Sequence, residues 1–217
     1  MSVSAIDLVA RILPGELQSD PADRALPLAS QLPVGRLVEF SGERGGCHMT
    51  QAVGCLKHAQ LRGETCAWVQ VEGGSLFPPD LADSGIDLSA LVIVHVPRKF
   101  HHAGLSKAAE LMLRSGGFGM VIIDLWGVNL DKHDAWQGRL LGMAREHQCW
   151  VVILSPAQIG QGPHGGSLGP LISLRISGER RRMDRGHFAI TPIVHKDKSS
   201  SLSGLAQEHR RGPWGLL

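Results

Sequence analysis

Five strand-sized apolar runs alternate with helical patterns between Leu37 and Leu154, and this alternation constrains the fold more than any other feature of the sequence. The runs are Leu37–Phe40, Ala67–Val71, Leu91–Val96, Met120–Leu125 and Trp150–Leu154. The helical patterns cover about residues 49–62, 103–115 and 134–147. Strands that are apolar throughout, rather than at alternate positions, are buried on both faces. The sequence therefore predicts an α/β domain with a mainly parallel central sheet flanked by helices.

The helical pattern stops after Leu154. A glycine-rich loop at 158–169 leads to a strand-like run at Leu171–Ile176, a charged segment at Gly178–Gly186 and a second strand-like run at His187–Val194. We expect these two runs to be antiparallel strands added to one edge of the sheet, near the C-terminus.

Changes in composition divide the chain into four predicted segments. These are an N-terminal amphipathic helix at 1–17, a linker at 18–33, the core domain at 34–198 and a basic, partly flexible tail at 199–217. Ile6, Val9 and Leu13 lie on one face of the predicted helix, and Trp214 is a large apolar side chain in the tail. We expect these four residues to contact a partner protein. Packing of the helix on its own core is the alternative.

Composition and charge exclude several classes of protein. No apolar run approaches the roughly 18 residues of a membrane span, and the N-terminus lacks the pattern of a signal peptide. With neither a membrane span nor a signal peptide, we expect a cytoplasmic protein. The four cysteines have no CxxC spacing and the histidines no HxxxH spacing, so we also expect no metal site. Residues 175–217 carry nine Lys and Arg against four Asp and Glu. This excess favours an anionic partner near the C-terminus.

The turn after the first predicted strand is where a phosphate-binding Walker A loop, GxxxxGK[ST], would lie. Counted from Gly42, Cys47 replaces the second glycine, His48 the lysine and Met49 the hydroxyl residue. A mostly neutral histidine does not supply the lysine charge, and a thioether does not bind Mg²⁺. We therefore expect no tight ATP binding and no ATPase activity. The nucleotide-site remnant comprises Gly42, Gly46, Cys47, His48, Met49 and Thr50.

Two acidic residues end apolar strands where an ATPase needs carboxylates. Asp124 ends MVIID, the Walker B position, and Glu72 ends AWVQVE, where a water-activating carboxylate could stand. Acidic residues also follow buried strands simply because the chain leaves the sheet there. Both interpretations stay open from these residues alone.

Four segments resemble the bacterial recombinase RecA, in the same order and with similar spacing. LPVGRLVEFSGERGGCHMT resembles RecA around its Walker A loop, RGETCAWVQVEGG the strand that ends in the catalytic glutamate, and FGMVIIDLWG the Walker B strand. ITPIVHKDKSS resembles the strand and lysine pair near the end of the RecA core. The resemblance covers about residues 31–200 and implies a RecA-like fold.

The departures from RecA concern DNA binding. Only LWGVNLDKH separates Asp124 from the next helix, where RecA carries its first DNA-binding loop. QIGQGPHGGSLG, at the place of the second loop, contains no aromatic residue, Lys or Arg. The resemblance therefore implies that filament-style DNA binding has been lost.

A shortened, degenerate RecA core with an amphipathic N-terminal helix and an RRGPWG tail resembles the ImuA family. These are RecA-like accessory proteins of the bacterial translesion mutasome. The resemblance implies a non-catalytic adaptor without a cofactor, acting in the SOS response, DNA repair and translesion synthesis. Its implied partners are an ImuB-type Y-family polymerase homologue, RecA and, directly or indirectly, an error-prone C-family DNA polymerase.

Lys196 and Lys198 match the lysine pair that RecA extends to the ATP of its neighbour. This implies that the chain could offer both lysines to an ATP held by RecA and so cap a filament end, whereas solvated charge is the alternative. Arginines form a possible secondary DNA-binding face, with an ordinary charged hairpin tip as the alternative. These are Arg180, Arg181, Arg182, Arg185, Arg210 and Arg211. A SulA-like cell-division inhibitor and a weak ATP- and DNA-binding RecA paralogue are the alternative functions.

Overall fold

A computed structural model of the 217-residue chain describes most of the predicted core. The described residues are 27–43, 46–128, 135–157, 168–183, 186–200, 202, 205 and 207–211. The predicted N-terminal helix with its apolar face, most of the glycine-rich loop, Arg185 and Trp214 therefore lie outside the described residues.

Eight strands form one sheet in the order β3-β2-β4-β5-β1-β6-β7-β8. Their bounds are β1 Leu37–Gly42, β2 Cys66–Val71, β3 Leu91–Val96, β4 Met120–Asp124, β5 Trp150–Pro156, β6 Ile172–Arg182, β7 His187–Asp197 and β8 Glu208–Arg211. The first six strands in this order are parallel, while β7 pairs antiparallel with β6 and β8 antiparallel with β7. The predicted α/β fold with a mainly parallel sheet and antiparallel C-terminal strands is confirmed.

One detail of the C-terminal strands differs from the prediction. We expected both runs after the glycine-rich loop to be antiparallel additions, but β6 pairs in parallel with β1, with Val38 opposite Leu174. Since β5 is also parallel to β1, the chain returns to the amino end of the sheet before β6 begins. Most of the charged segment that follows is strand, because β6 continues through it to Arg182 and forms a long hairpin with β7.

Five helices lie among the described residues. They are α1 Pro27–Ser30, α2 His48–Leu61, α3 Pro78–Asp83, α4 His101–Arg114 and α5 Ala135–Glu146. The three helices predicted from the sequence correspond to α2, α4 and α5, with ends within two residues. None of the helices in this part of the chain is long and apolar enough to cross a membrane.

The sheet separates two apolar clusters. Side chains of α1, α2 and α3 pack on one face, where Trp68 is fully buried, and those of α4 and α5 pack on the other, around Leu105 and Leu140. The central strands β2 and β4 are buried at every position, and their residues are accordingly mostly apolar, the polar exceptions being Gln70 and the terminal Asp124. Strand β3 lies at an edge, and Val92 in it is exposed.

Two segments predicted to lie outside the core contribute to it. Leu28 and Leu32, inside the predicted linker, are buried in the α2-side cluster, and the indole N–H of Trp150 donates to the Leu32 carbonyl at 3.2 Å. Strand β8, inside the predicted tail, pairs with β7. A four-residue helix and a four-residue strand are too short to produce a recognisable apolar period.

Candidate functional site

The residues of the predicted nucleotide-site remnant lie together at the carboxyl edge of the parallel strands. Gly42 ends β1, Asp124 ends β4, and Glu72 directly follows β2. Strand β5 separates β1 from β4, since Leu154 is paired with both Phe40 and Asp124. This edge is where ligands bind in open α/β sheets, so the fold brings together the positions that the sequence had indicated.

The imidazole of His48 lies beside Gly42 and Gly46, the described glycines of the turn between β1 and α2. His48 is the first residue of α2 and is 5% exposed. Its Nδ1 lies 2.5 Å from the point that a Cβ on Gly42 would occupy, and 3.4 Å from the corresponding point on Gly46. The space beside these glycines, which in a phosphate-binding loop accommodates an anion, is therefore lined by a neutral ring of the chain itself.

Trp126 covers the imidazole. The two rings are stacked, with centroids 4.9 Å apart and an interplanar angle of 12°. The backbone N–H of Trp126 donates to Oδ1 of Asp124 at 2.9 Å, so the Walker B aspartate fixes the turn that carries the indole. Sequence reasoning did not identify Trp126; an aromatic residue two positions after the strand-end aspartate was the available signal.

Burial determines the protonation of both titratable side chains in this group. It lowers the pKa of His48 to about 4, so the stacked imidazole is neutral at pH 7. Burial also raises the pKa of Asp124 to about 6, against the opposing effect of the hydrogen bond from Trp126. In contrast, Glu72 is exposed, and its backbone N–H donates to the carbonyl of Val96 at 2.9 Å.

The remaining positions of the loop do not suit ATP and Mg²⁺. Cys47 is 1% exposed, and burial raises its pKa, so it is a neutral thiol. Met49 is partly buried against the α2-side cluster, and a thioether is a poor ligand for a hard cation. With His48 in the bend as well, the residues present do not fit a nucleotide with its metal ion.

Strand β6 packs directly on the first turn of α2. A Cβ on Gly178 would lie 2.6 Å from Cys47 Sγ and 3.0 Å from Gln51 Nε2. The Gln51 amide donates to the carbonyl of Ser177 at 3.4 Å. Glycine at position 178 is therefore required for the hairpin to contact the helix that carries His48.

The predicted lysine pair binds carbonyl groups of its own chain. Lys196 Nζ donates to the carbonyl of Gly169 at 2.9 Å, and Lys198 Nζ to that of Pro170 at 2.6 Å. Leu168, just before them, is held at both backbone groups: its N–H donates to Glu39 and its carbonyl accepts from Gln137. Four side chains thus fix residues 168–170, at the end of the glycine-rich loop.

A buried polar network lies beneath this segment. Glu39, in the middle of β1, is 0% exposed; Ser155 Oγ donates to its Oε1 at 2.7 Å, and Arg175 Nε lies 3.8 Å from the same oxygen. Arg175 also donates to Ser41 Oγ at 3.2 Å. The network joins β1, β5 and β6. Its sequence signal, one charged residue within each of two apolar strands, was not used.

The predicted arginine face is divided by the β-sheet. Arg180 and Arg182 are opposite Ile190 and Phe188, whereas Arg181 is opposite Ala189. Because successive side chains of a strand point to opposite faces, Arg181 lies on the other face from its two neighbours. Arg210 is paired with Phe188 and so shares the face of Arg180 and Arg182. The guanidinium of Arg180 lies 5.1 Å from the Phe188 ring centroid. The expected arginine face therefore excludes Arg181 but can include Arg180, Arg182 and Arg210.

Metal binding finds no support in this geometry. Within residues 27–211, omitting the positions that the structure does not describe, there is no group of three or more His, Cys, Asp or Glu side chains that could hold a metal ion. Cys47, Cys55, Cys66 and Cys149 are all free thiols and buried.

Comparison with known proteins relates the chain to RecA. No protein-family model matches the sequence. The RecA protein of Acinetobacter baylyi is 25% identical over 154 residues, which cover 63% of this chain and 43% of that protein. The RecA protein of Ruegeria pomeroyi is 33% identical over 93 residues, 43% of this chain and 26% of that protein. The chain spans less than half the length of these RecA proteins.

Comparison with solved structures relates the fold of the chain to that of a recombinase. The crystal structure of the RadB recombinase superimposes with a TM-score of 0.60 and covers 82% of this chain and 88% of that one, at 14% sequence identity. This likeness concerns the fold alone, whereas the RecA matches concern the sequence. Taken together, they establish this chain as a RecA-like α/β protein whose sequence is related to RecA.

Proposed function

We propose that the chain is a non-catalytic, RecA-like adaptor of the bacterial DNA-damage response, of the ImuA type. The observation that carries the proposal is the position of His48, which lies against Gly42 and Gly46 in the bend where a RecA-type ATPase would hold phosphate. Loss of the lysine and of the hydroxyl ligand is consistent with the same conclusion. A RecA-like sheet without a nucleotide site retains outer surfaces with which it can bind other proteins.

The partners follow from the proposed family. They are an ImuB-type Y-family polymerase homologue, RecA and an error-prone C-family polymerase, in the cytoplasm, where translesion synthesis takes place. Trp214 and the apolar face of Ile6, Val9 and Leu13 remain the proposed contact points, and they lie outside the described residues.

Capping of a RecA filament through the lysine pair requires a rearrangement. Lys196 and Lys198 donate to Gly169 and Pro170 within the chain, so they must leave these carbonyls to reach an ATP on a neighbouring subunit. A phosphate is a stronger acceptor for an ammonium group than a neutral carbonyl, which makes the exchange favourable when such an ATP is within reach.

The decisive experiment combines nucleotide titration with partner capture. Calorimetry of the full chain with ATP and Mg²⁺ should give no saturable binding up to millimolar concentrations and no turnover. Affinity capture from DNA-damaged cells should retain an ImuB-type protein and RecA, and should lose at least one of them when residues 212–217, which follow β8 and include Trp214, are deleted. Micromolar ATP binding with hydrolysis contradicts the proposal. Retention of the division GTPase instead of a polymerase supports the SulA-like alternative.

One observation favours direct DNA contact as a second function. Arg180, Arg182 and Arg210 share one face of the β6–β7–β8 sheet with Phe188, and an aromatic side chain between cations is suited to nucleic acid. If this face binds DNA, replacing Arg180 and Arg182 with Ala lowers the salt dependence of binding by about two phosphate contacts. Arg181→Ala, on the opposite face of the strand, should leave the salt dependence of binding unchanged. Equal effects of all three substitutions contradict a one-sided interface.

A further inference from the structure

The imidazole of His48 is held from two sides. On one side it faces the backbone of Gly42 and Gly46, where any larger residue would collide with it. On the other it stacks on the indole of Trp126 at 4.9 Å. Its Nδ1 makes no hydrogen bond to the described atoms and is buried. Shape and ring stacking, rather than polar contacts of this nitrogen, therefore determine where the ring lies.

Trp126 is itself fixed in place. Its N–H is bound to the Asp124 carboxylate, and the following residue, Gly127, has a φ of 72°, in the left-handed region that favours glycine. The indole is partly buried and packs against the α2-side cluster. The turn after β4 therefore presents an aromatic surface to His48 in the phosphate loop (residues 42–50), of which Gly42, Glu43 and residues 46–50 are described.

The stacked ring is neutral at pH 7. Burial lowers the pKa of His48 to about 4; the other titratable groups placed at this position are Asp124, which holds the Trp126 turn, and Cys47, which precedes His48. The neutral ring fills the space beside Gly42 and Gly46, so it excludes a phosphate anion from that space and offers it no charge. For an anion to use this space, His48 would have to leave the indole.

We infer that Trp126 is a positioning residue that keeps the His48 imidazole inside the phosphate loop, so that the chain's own side chain closes this loop to phosphate anions. The inference deepens the proposed function and rests on it, because it specifies how a RecA-like site is kept empty of nucleotide. It differs from simple loss of the lysine. A loop that had only lost its lysine would remain open, whereas this one is filled.

The test uses the full chain and two substitutions at position 126. Trp126→Ala removes the stacking surface, while Trp126→Phe keeps an aromatic face. Phe77→Ala, at an exposed aromatic residue elsewhere, is the matched control for removing a ring. For each protein, NMR follows the ring proton of His48 during a pH titration and during a titration with pyrophosphate at pH 6.

We expect His48 in the wild type, in Trp126→Phe and in the Phe77→Ala control to titrate well below 6.5 and to be unaffected by pyrophosphate. In Trp126→Ala the pKa of His48 should rise towards its ordinary value of about 6.5, and pyrophosphate should bind saturably, at least tenfold tighter than to the wild type. The change in the histidine titration distinguishes release of the ring from general unfolding, which circular dichroism of the variant would reveal.

Two results overturn the inference. One is a His48 that keeps its low pKa in folded Trp126→Ala, and the other is a released His48 without any gain in pyrophosphate binding. In both cases the adaptor proposal stands, because the loop is still unable to bind nucleotide. Saturable ATP–Mg²⁺ binding by the wild type, in contrast, overturns the inference and the proposed function together. If Trp126→Ala unfolds, Trp126→Val, whose side chain is much smaller than the indole and has no π-face, replaces it with the same expected results.

Discussion

The ammonium group of Lys196 donates a hydrogen bond to the carbonyl oxygen of Gly169 at 2.9 Å. Through this bond the end of β7 fixes the residues that lead into β6. The neighbouring bond from Lys198 to Pro170 has the same effect. The lysine pair that the sequence suggested for a partner's nucleotide thus has a structural role in the isolated chain.

Replacement of Lys196 by Met should loosen residues 168–172. Loss of one hydrogen bond from a charged donor costs about 1.5–3 kcal/mol at most, so backbone amides of this segment should exchange with deuterium roughly tenfold faster or more. Lys99→Met, whose ammonium lies over Phe100, is the control and should leave the segment unchanged. Unchanged exchange in Lys196→Met would mean that the bond does not hold the segment in solution.

Gly178→Ala should destabilise the protein by about 1–3 kcal/mol, the usual cost of overpacking. The added methyl group would lie 2.6 Å from Cys47 Sγ, so the hairpin must move away from α2. Gly142→Ala, in the interior of α5 with no atom within 4 Å of the new Cβ, should instead stabilise by up to about 1 kcal/mol. Urea unfolding of the two variants measures the difference, and equal effects would contradict the close contact at Gly178.

Asp124→Asn should increase stability above pH 6. The folded-state pKa of Asp124 is raised to about 6 from 3.8, so the fold favours the protonated carboxyl. The stabilisation that this preference provides is complete below pH 3.8 and is lost as the pH rises through 6. Asparagine cannot ionise, yet its Oδ1 can still accept the hydrogen bond from Trp126. At about 1.4 kcal/mol per pKa unit, the gain at pH 7 is at most about 3 kcal/mol.

Denaturant unfolding of wild type and Asp124→Asn between pH 4 and 8 tests this sign. The two curves should meet near pH 4 and separate as the pH rises. Under the proposed adaptor function, partner capture should be unaffected by this change, whereas an ATPase that used Asp124 to bind magnesium would lose its function. A variant that is less stable than the wild type at pH 7 would show that Asp124 is stabilised in its charged form.

His48 should give the opposite pH dependence. Its folded-state pKa of about 4 lies below the ordinary 6.5, so the unfolded chain binds more protons between these values and stability falls as the pH decreases from 6.5 to 4. His48→Gln, which does not titrate, should make this loss smaller; burial lowers the pKa of His58 and His195 as well, so part of the loss remains. The comparison is made in the Asp124→Asn background, where the opposing titration of Asp124 is absent. A loss of stability below pH 6.5 that is unchanged by His48→Gln would assign the effect to other groups.

Arg175→Met should cost about 3–5 kcal/mol, because it leaves the buried carboxylate of Glu39 without its cation. The combined replacement of Glu39 by Gln and Arg175 by Met should cost less than the sum of the two single changes, since no buried charge then remains. A double-mutant cycle in denaturant provides the measurement. Additive effects would indicate that the 3.8 Å pair contributes nothing.

The sequence determined the architecture of this protein. Strands such as β2 and β4 are buried at every position and, apart from Gln70 and the terminal Asp124, consist of apolar residues and Cys66. The helices α2, α4 and α5 were located by their apolar period to within two residues. The sequence also showed which residue types stand in the phosphate loop, since the replacement of the Walker A lysine by His48 can be read without a structure.

Only the tertiary structure decided which residues contact one another at the phosphate loop. The stack of His48 on Trp126 joins residues 78 positions apart, and the pair between Glu39 and Arg175 joins two strands through a parallel register. Such contacts depend on strand order, which the apolar pattern does not specify, because any neighbouring strand can bury the same side chains. For the same reason the direction of β6 and the acceptors of Lys196 and Lys198 became known only when the sheet was assembled.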